Sequence, residues 1–305
     1  MFPIQKVVFL GSKSLGLQAL RAVYDLRPES LLAVITLDDS SDARSDLVGF
    51  KEFAESTAKP LFIAKNSREA ETIIQSLNPD LCLVVCWYWL LKQKLLTSIP
   101  HGAVGVHNSL LPKYRGGSPL VWAILNGENE VGFSIFSLTE EMDAGPVWFQ
   151  EKISLKDNAS VGEALDVIQI RLIETFKSGW CDFLDGKVPS KIQDSSMATY
   201  CAQRFPDDGQ IEWSCTARQV VDFVRAQSNP YPGAFTYLNG QKVTIQHAAI
   251  WPFLYFGRPG QVAQVSEEEV LIICGDNKAV RISSVELSGV CKPAKEIFSS
   301  IKIRL

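Results

Sequence analysis

With 305 residues, 46% of them hydrophobic and 21% charged, the chain is long enough for about two compact domains and is neither disordered nor fibrous. Its 30 Lys and Arg against 34 Asp and Glu leave a net charge of −4, which excludes a nucleic-acid binder working through a general basic surplus. Seven cysteines, odd in number and without CxxC spacing, exclude a disulfide framework and a zinc ribbon; reduced thiols of this kind fit a cytoplasmic enzyme.

The N-terminal run KVVFL (6–10) is short and turns into a glycine loop at Gly11, so it reads as a first strand and not as a secretory signal. No later run is long and uncharged enough to span a bilayer, and no membrane partner is expected. Leu15 to Leu26 has helical apolar spacing. GSKSLG between strand and helix matches a dinucleotide fingerprint only in part and reads first as a tight turn with a helix contact.

Leu31 to Leu37 is the next strand, followed by DDSSDARSD (38–46), with four aspartates and one arginine. A helix over Phe50 to Ala58, a strand over Leu61 to Ala64, a helix over Glu69 to Leu77 and the apolar run Leu81 to Trp87 continue the alternation. Strands alternating with helices, and uninterrupted apolar runs, predict an α/β domain with a Rossmann-like parallel sheet. Ligands of such sheets bind beyond the carboxyl ends of the strands, where Gly11 to Gly16, Trp87 to Leu91 and His107 fall.

Val104 to Gly145 reads as a strand end at His107, a loop with Pro112, Gly116 and Gly117, a helical run, a β-branched strand, and Asp143 before Ala144 and Gly145. Phe149 to Leu155 is a strand and Val161 to Leu184 a long amphipathic helix. The expected division is a catalytic domain over 1–187, a polar linker over 188–203 and a second domain over 204–305. In the latter, Thr216 caps a helix running to Ala226. Alternating strands follow at 236–238, 242–250, 261–265, 270–274 and 279–287, with Asn239-Gly240 as a hairpin turn. This predicts a small OB-like β-barrel.

Of the three histidines, His101 in a Pro-His-Gly turn and His247 on a strand read as structural, leaving His107 as the candidate acid/base. Asp143 is by itself a turn aspartate; beside a histidine it can orient the ring and take a proton. The chain has no GxSxG elbow, HExxH helix or P-loop, and no metal-ligand spacing. An acid/base pair without its own nucleophile suits group transfer to a substrate that brings one.

The segments HNSLLPKYRGGSP (107–119), WAILNGENEVGFSIF (122–136) and MDAGP (142–146) resemble the core motif of the 10-formyltetrahydrofolate-dependent formyltransferases. RFPDDGQIEW (204–213) and VRAQSNPYPGAFTYLNGQKVTI (224–245) resemble the second domain shared by methionyl-tRNA formyltransferase, formyltetrahydrofolate dehydrogenase and sugar formyltransferases. The resemblance implies His107 and Asp143 as catalytic residues and 10-formyltetrahydrofolate, without a metal, as co-substrate. It places the folate along Cys86, Trp87, Tyr88, Trp89 and Leu91, with Asp143 at its reactive end, and the acceptor near Ser109, Lys113, Tyr114, Arg115 and Gly116.

The family's asparagine, two residues before the histidine, is here Gly105. Losing an oxyanion donor costs about 3 kcal/mol or more, and three readings stand side by side. Asn108 or another nearby donor substitutes; the enzyme is slow, hydrolytic or directed elsewhere; or the site binds folate without turnover. The acidic 38–46 loop lies where methionyl-tRNA formyltransferases carry a basic insertion, which argues against tRNA. KYRG, DAG, the PDD turn and PYPGAF are similar to the domain that formylates nucleotide-linked aminoarabinose. A nucleotide-linked amino sugar is therefore the expected acceptor, and a homodimer is compatible with the family.

Overall fold

The computed structural model describes residues 3–305; Met1 and Phe2, at the start of the N-terminal stretch read above, lie outside them. By packing, the chain divides into two compact units. Among the described residues the first comprises 3–116, 132–153 and 167–200; the second comprises 117–131, 154–166 and 201–305. The boundaries proposed from sequence were contiguous, whereas the chain enters the second unit at two earlier insertions.

In the first unit, β1 (Val7–Gly11), α1 (Lys13–Leu26), β2 (Leu31–Leu37), α2 (Leu47–Thr57), β3 (Leu61–Ala64), α3 (Ser67–Leu77), β4 (Leu81–Val85), α4 (Gln93–Ser98) and β5 (Ala103–His107) alternate as expected. The chain then continues through β6 (Arg115–Gly116), α5 (Pro119–Leu125), which belongs to the second unit, β7 (Glu130–Ser137), β8 (Val147–Ser154), α6 (Val161–Leu184), whose first turns belong to the second unit, and β9 (Tyr200–Cys201). The main sheet has the order β3-β2-β1-β4-β5-β7-β8. β1, β2, β3, β4 and β5 pair in parallel, and β1 and β4 are buried at every residue, because helices cover both faces.

The sheet is nevertheless mixed: β7 runs antiparallel to β5, pairing His107 with Ser134 and Val104 with Ser137. The expected parallel sheet is thus present over β1 to β5, and β7 adds an antiparallel pair that apolar periodicity, which carries no strand direction, could not announce. The partial glycine fingerprint is also explained. A Cβ on Gly11 would lie 2.5 Å from the Val85 carbonyl oxygen, so glycine is required where β1 passes β4.

The second unit is antiparallel. α7 (Ala217–Gln227) starts at the Thr216 cap, whose hydroxyl accepts from the Gln219 amide, and packs against α5. β10 (Ala234–Leu238), β11 (Gln241–Ile245), β12 (Ala249–Leu254), β13 (Val262–Val265), β14 (Val270–Ile273), β15 (Lys278–Ile282), β16 (Ser284–Leu287) and β17 (Val290–Pro293) follow. They form two four-stranded sheets, β10-β11-β16-β17 and β12-β15-β14-β13, around one core that includes Val243, Ile245, Ile272, Val280, Val285 and Phe298. The strands expected over 242–250 and 279–287 are each broken in two, at Gln246–Ala248 and at Ser283, where the chain crosses from one sheet to the other.

The RFPDDG motif is explained by packing. The Arg204 guanidinium lies 5.2 Å from the Trp122 ring and 5.6 Å from that of Phe223, and donates to the Asp208 carbonyl at 2.7 Å and Gln227 Oε1 at 3.0 Å.

Candidate active site

His107 is the last residue of β5 and is 9% exposed. Its Nε2 lies 2.7 Å from the Tyr114 carbonyl oxygen. A carbonyl only accepts, so Nε2 carries a proton, and in the neutral ring Nδ1 holds the lone pair. Nδ1 faces Asp143 Oδ2 at 3.7 Å, too far for a direct hydrogen bond and short enough for a reacting group to bridge. Asp143 Oδ2 accepts the Gly116 amide at 2.7 Å, and a carboxylate retains further lone pairs for a proton. The loop after β7 thus returns Asp143 to the residue that ends β5, two positions 36 residues apart in the chain by 143 − 107.

Backbone strain gathers on the loops around this pair. Lys13, Cys86, Tyr114 and Asp143 have φ values of +63°, +53°, +59° and +54°, the left-handed region that costs a side-chain-bearing residue about 1–3 kcal/mol. Each comes after a strand of the same sheet, and three are held from elsewhere in the chain: Lys13 by Asp39 and Asp42, the Tyr114 amide by Thr199 Oγ1, and the Asp143 carbonyl by Gln193 Nε2.

The loop after β4 carries the residues expected to hold folate. Cys86, Trp87, Trp89 and Leu91 are half-buried, while Tyr88 is 53% and Leu90 85% exposed. Trp87 and Trp89 meet edge to face at 5.2 Å, and with Leu91 and Leu138 they pack on the sheet's core. The buried Trp87 Nε1 has no hydrogen-bond partner. An apolar loop with exposed Tyr88 and Leu90 and half-buried indole rings fits a flat heterocycle. Burial pushes the Cys86 thiol up to about 11, so it is no nucleophile at neutral pH.

The residues expected to meet the acceptor divide. Lys113 is exposed, and Asn108, Tyr114 and Gly116 are half-buried. Ser109 and Arg115 are buried, 4% and 0% exposed. The Ser109 hydroxyl donates to the Lys113 carbonyl at 2.7 Å, and the Arg115 guanidinium is engaged by Gln193, Glu141 and Tyr200. Both hold loop shape and present no free group to a substrate. Sequence reasoning missed Gln193 and Lys13, which lie far from the motif in the chain.

At Gly105 an added Cβ would lie 2.8 Å from Leu138 Cδ2 and 3.6 Å from Phe136 Cε1. The room an asparagine side chain would need is filled by Leu138.

The acidic loop is latched beyond the carboxyl end of β1, at the start of α1. Lys13 Nζ pairs with Asp39 at 2.5 Å and Asp42 at 2.9 Å and lies 5.4 Å from the Tyr88 ring centroid; Arg44 also pairs with Asp42. The Arg44 guanidinium above all, with Lys13, holds the Asp42 carboxyl well below the usual carboxylate range. Burial alone would lower the Lys13 ammonium, but Asp39, Asp42 and Tyr88 outweigh it and raise it. A depressed carboxyl stabilises above its unfolded pKa of about 4, and a raised ammonium stabilises below its unfolded value of about 10. The latch is therefore expected to contribute fully between roughly pH 4 and pH 10, and to weaken progressively beyond, as pH falls toward the depressed Asp42 carboxyl or rises toward the raised Lys13 ammonium. Asp42→Asn, which mimics the acid form, is expected to speed tryptic cleavage after Arg44 several-fold at pH 7; an unchanged rate would refute the latch.

Among the described residues no cluster of three metal-ligating side chains occurs, and no helix is long and apolar enough to cross a membrane.

Comparison with known proteins now decides the family. The sequence profile described as formyl transferase matches residues 5–169, and that of the formyl transferase C-terminal domain matches residues 205–300. The chain belongs to the formyl transferase family. This formyl transferase is 29% identical over 290 residues to methionyl-tRNA formyltransferase of Staphylococcus aureus strain JH1, covering 93% of this chain and 92% of that protein.

The fold of this formyl transferase is shared with the N-formyltransferase of Helicobacter canadensis, solved with folinic acid and dTDP-3-aminofucose. The two superpose with a TM-score of 0.69 at 16% identity over 92% of this chain and 99% of that one. A variant of HypX from Aquifex aeolicus gives a TM-score of 0.67 at 18% identity over 97% of this chain and 47% of that one. This chain therefore spans just under half the HypX length. HypX has also been solved with tetrahydrofolic acid.

Proposed function

We propose that this formyl transferase moves a formyl group from 10-formyltetrahydrofolate to the primary amine of a small molecule, a nucleotide-linked amino sugar. The observation that carries the reading is the His107–Asp143 pair, with one ring nitrogen committed to Tyr114 and no activated thiol beside it. Such a site works when the acceptor supplies the nucleophile.

The folate supplies the formyl carbon and departs as tetrahydrofolate. Asp143 takes the proton that the amine loses on attack. His107 Nδ1, facing that carboxylate, receives the proton, stabilises the oxyanion as imidazolium, and passes the proton to N10 of the folate as the bond between the formyl carbon and N10 breaks. Trp87, Tyr88, Trp89 and Leu91 would hold the folate. The latch leaves the 38–46 loop acidic and closed on Lys13, which supports a small acceptor over a phosphate backbone.

A second reading, methionyl-tRNA as acceptor, is favoured by the Staphylococcus aureus relative, which matches along 93% of the chain. One assay separates them. Tetrahydrofolate release is followed with 10-formyltetrahydrofolate alone, then with nucleotide-linked amino sugars, then with methionyl-tRNA. Release with an amino sugar supports the proposal; release only with methionyl-tRNA, or without any amine, overturns it in favour of the second reading or a hydrolase.

The Gly105 site carries its own prediction. Gly105→Asn alone forces Leu138 aside at a cost of about 1–3 kcal/mol. Gly105→Asn with Leu138→Ala is expected to lose less stability than the sum of the single changes, by about 1 kcal/mol in urea unfolding. Strict additivity would mean that Leu138 does not fill the asparagine's place. Asn108→Ala in the otherwise unchanged enzyme tests that residue as the substitute donor; a turnover drop of about tenfold or more is expected, and no drop removes Asn108 from the mechanism.

A further inference from the structure

Gln193 lies in the stretch that reads as a linker, yet its side chain is bonded at every position an amide offers. Nε2 donates to the Asp143 carbonyl at 2.8 Å and to the Gly145 carbonyl at 2.7 Å. Oε1 accepts from Arg115 Nε at 3.2 Å and Nη2 at 2.9 Å. An amide has two N–H donors and two acceptor lone pairs, so all four are used. The orientation is also fixed, because a flip would set Nε2 against a guanidinium and Oε1 against two carbonyls.

The surrounding segment straps both loops of the site. Lys191 and Val147 exchange two backbone hydrogen bonds of 2.8 Å, and the Thr199 carbonyl accepts the Arg115 amide at 2.8 Å. Thr199 Oγ1 accepts the Tyr114 amide at 2.8 Å, which fixes the residue whose carbonyl holds His107. Gln193 therefore joins the Asp143 loop to the loop that holds the histidine. Asp143 itself has φ +54°, a conformation that persists only where the surroundings over-determine it.

We propose that Gln193 is a positioning residue: clamped by the buried Arg115 guanidinium, it holds the Asp143–Gly145 backbone so that the Asp143 carboxylate faces His107 Nδ1. The 188–200 stretch is then a wall of the site and not a spacer. The kinetic part of this inference rests on the formyl-transfer reading above; the structural part does not.

The test is Gln193→Glu. Glutamate keeps an acceptor for Arg115 and loses both donors to the Asp143 and Gly145 carbonyls. The variant is expected to retain its melting temperature within a few degrees and to exchange amide hydrogens about tenfold faster in a peptide spanning 139–150, with other peptides unchanged. With the acceptor identified, kcat is expected to fall about 10- to 100-fold with KM near the unchanged value.

Unchanged exchange in that peptide, an unchanged kcat, or a loss confined to KM each overturns the proposal. Should Gln193→Glu fail to fold, Gln193→Met, which keeps the length and removes all four hydrogen bonds, is read by the same criteria. An unaltered protein that transfers formyl to no acceptor sinks the formyl-transfer reading, while the exchange measurement still decides whether Gln193 holds the loop.

Discussion

Replacing His107 by alanine is expected to lower kcat/KM for formyl transfer by about 10²- to 10⁴-fold, the range a positioned acid/base contributes. The ring uses Nε2 for the Tyr114 carbonyl and Nδ1 toward Asp143, so alanine removes both an anchor and the reacting nitrogen. His107→Gln separates them, since its amide N–H can still donate to Tyr114 but its side chain is no base. Equal losses in both variants assign the effect to Nδ1. Activity within about threefold of the unaltered enzyme in His107→Ala would remove the histidine from the mechanism. Far-ultraviolet circular dichroism checks that the variants remain folded.

Arg115→Met carries the largest expected loss of stability. The guanidinium is 0% exposed and engages Gln193, Tyr200 and Glu141, and methionine retains only the apolar stem. Glu141 is 65% exposed and adds little. Tyr200 is 59% exposed and adds little as well, so the loss is mainly that of the two charge-assisted hydrogen bonds to the half-buried Gln193 amide oxygen, an expected cost of about 2–3 kcal/mol. That is a fall in melting temperature of about 4–10 °C, read by calorimetry. Arg115→Lys is expected not to restore it, because an ammonium cannot reach Gln193 and Tyr200 together as the planar fork does. A melting temperature within about 1 °C of the unaltered protein would mean that the network contributes nothing.

Much of this was legible in the chain because local signals are strong. The Val7–Gly11 and Leu81–Val85 runs announce buried strands, the Thr216 cap announces its helix, and His107 and Asp143 stand out as ionisable groups at loop positions. The Gly105 departure is also visible in the sequence, and so is the acidic character of 38–46.

Other features are long-range pairings with no local signature. The antiparallel β7 depends on which edge of β5 was free, and the strand breaks at 246–248 and 283 depend on which sheet each half joins. Arg115 reads as a surface cation in a loop and is buried only because residues 188–200 fold over it. What the sequence by itself determined was the alternation of strands and helices, the acid/base residues and the charge of each loop, since these follow from residue type and near-neighbour spacing. What only the tertiary structure decided was which groups meet: Asp143 with His107, Lys13 with the acidic loop, Leu138 in the space beside Gly105, and Gln193 between Arg115 and Asp143. Contacts of that kind are set by packing between segments far apart in the chain, and packing is not encoded in any single stretch of it.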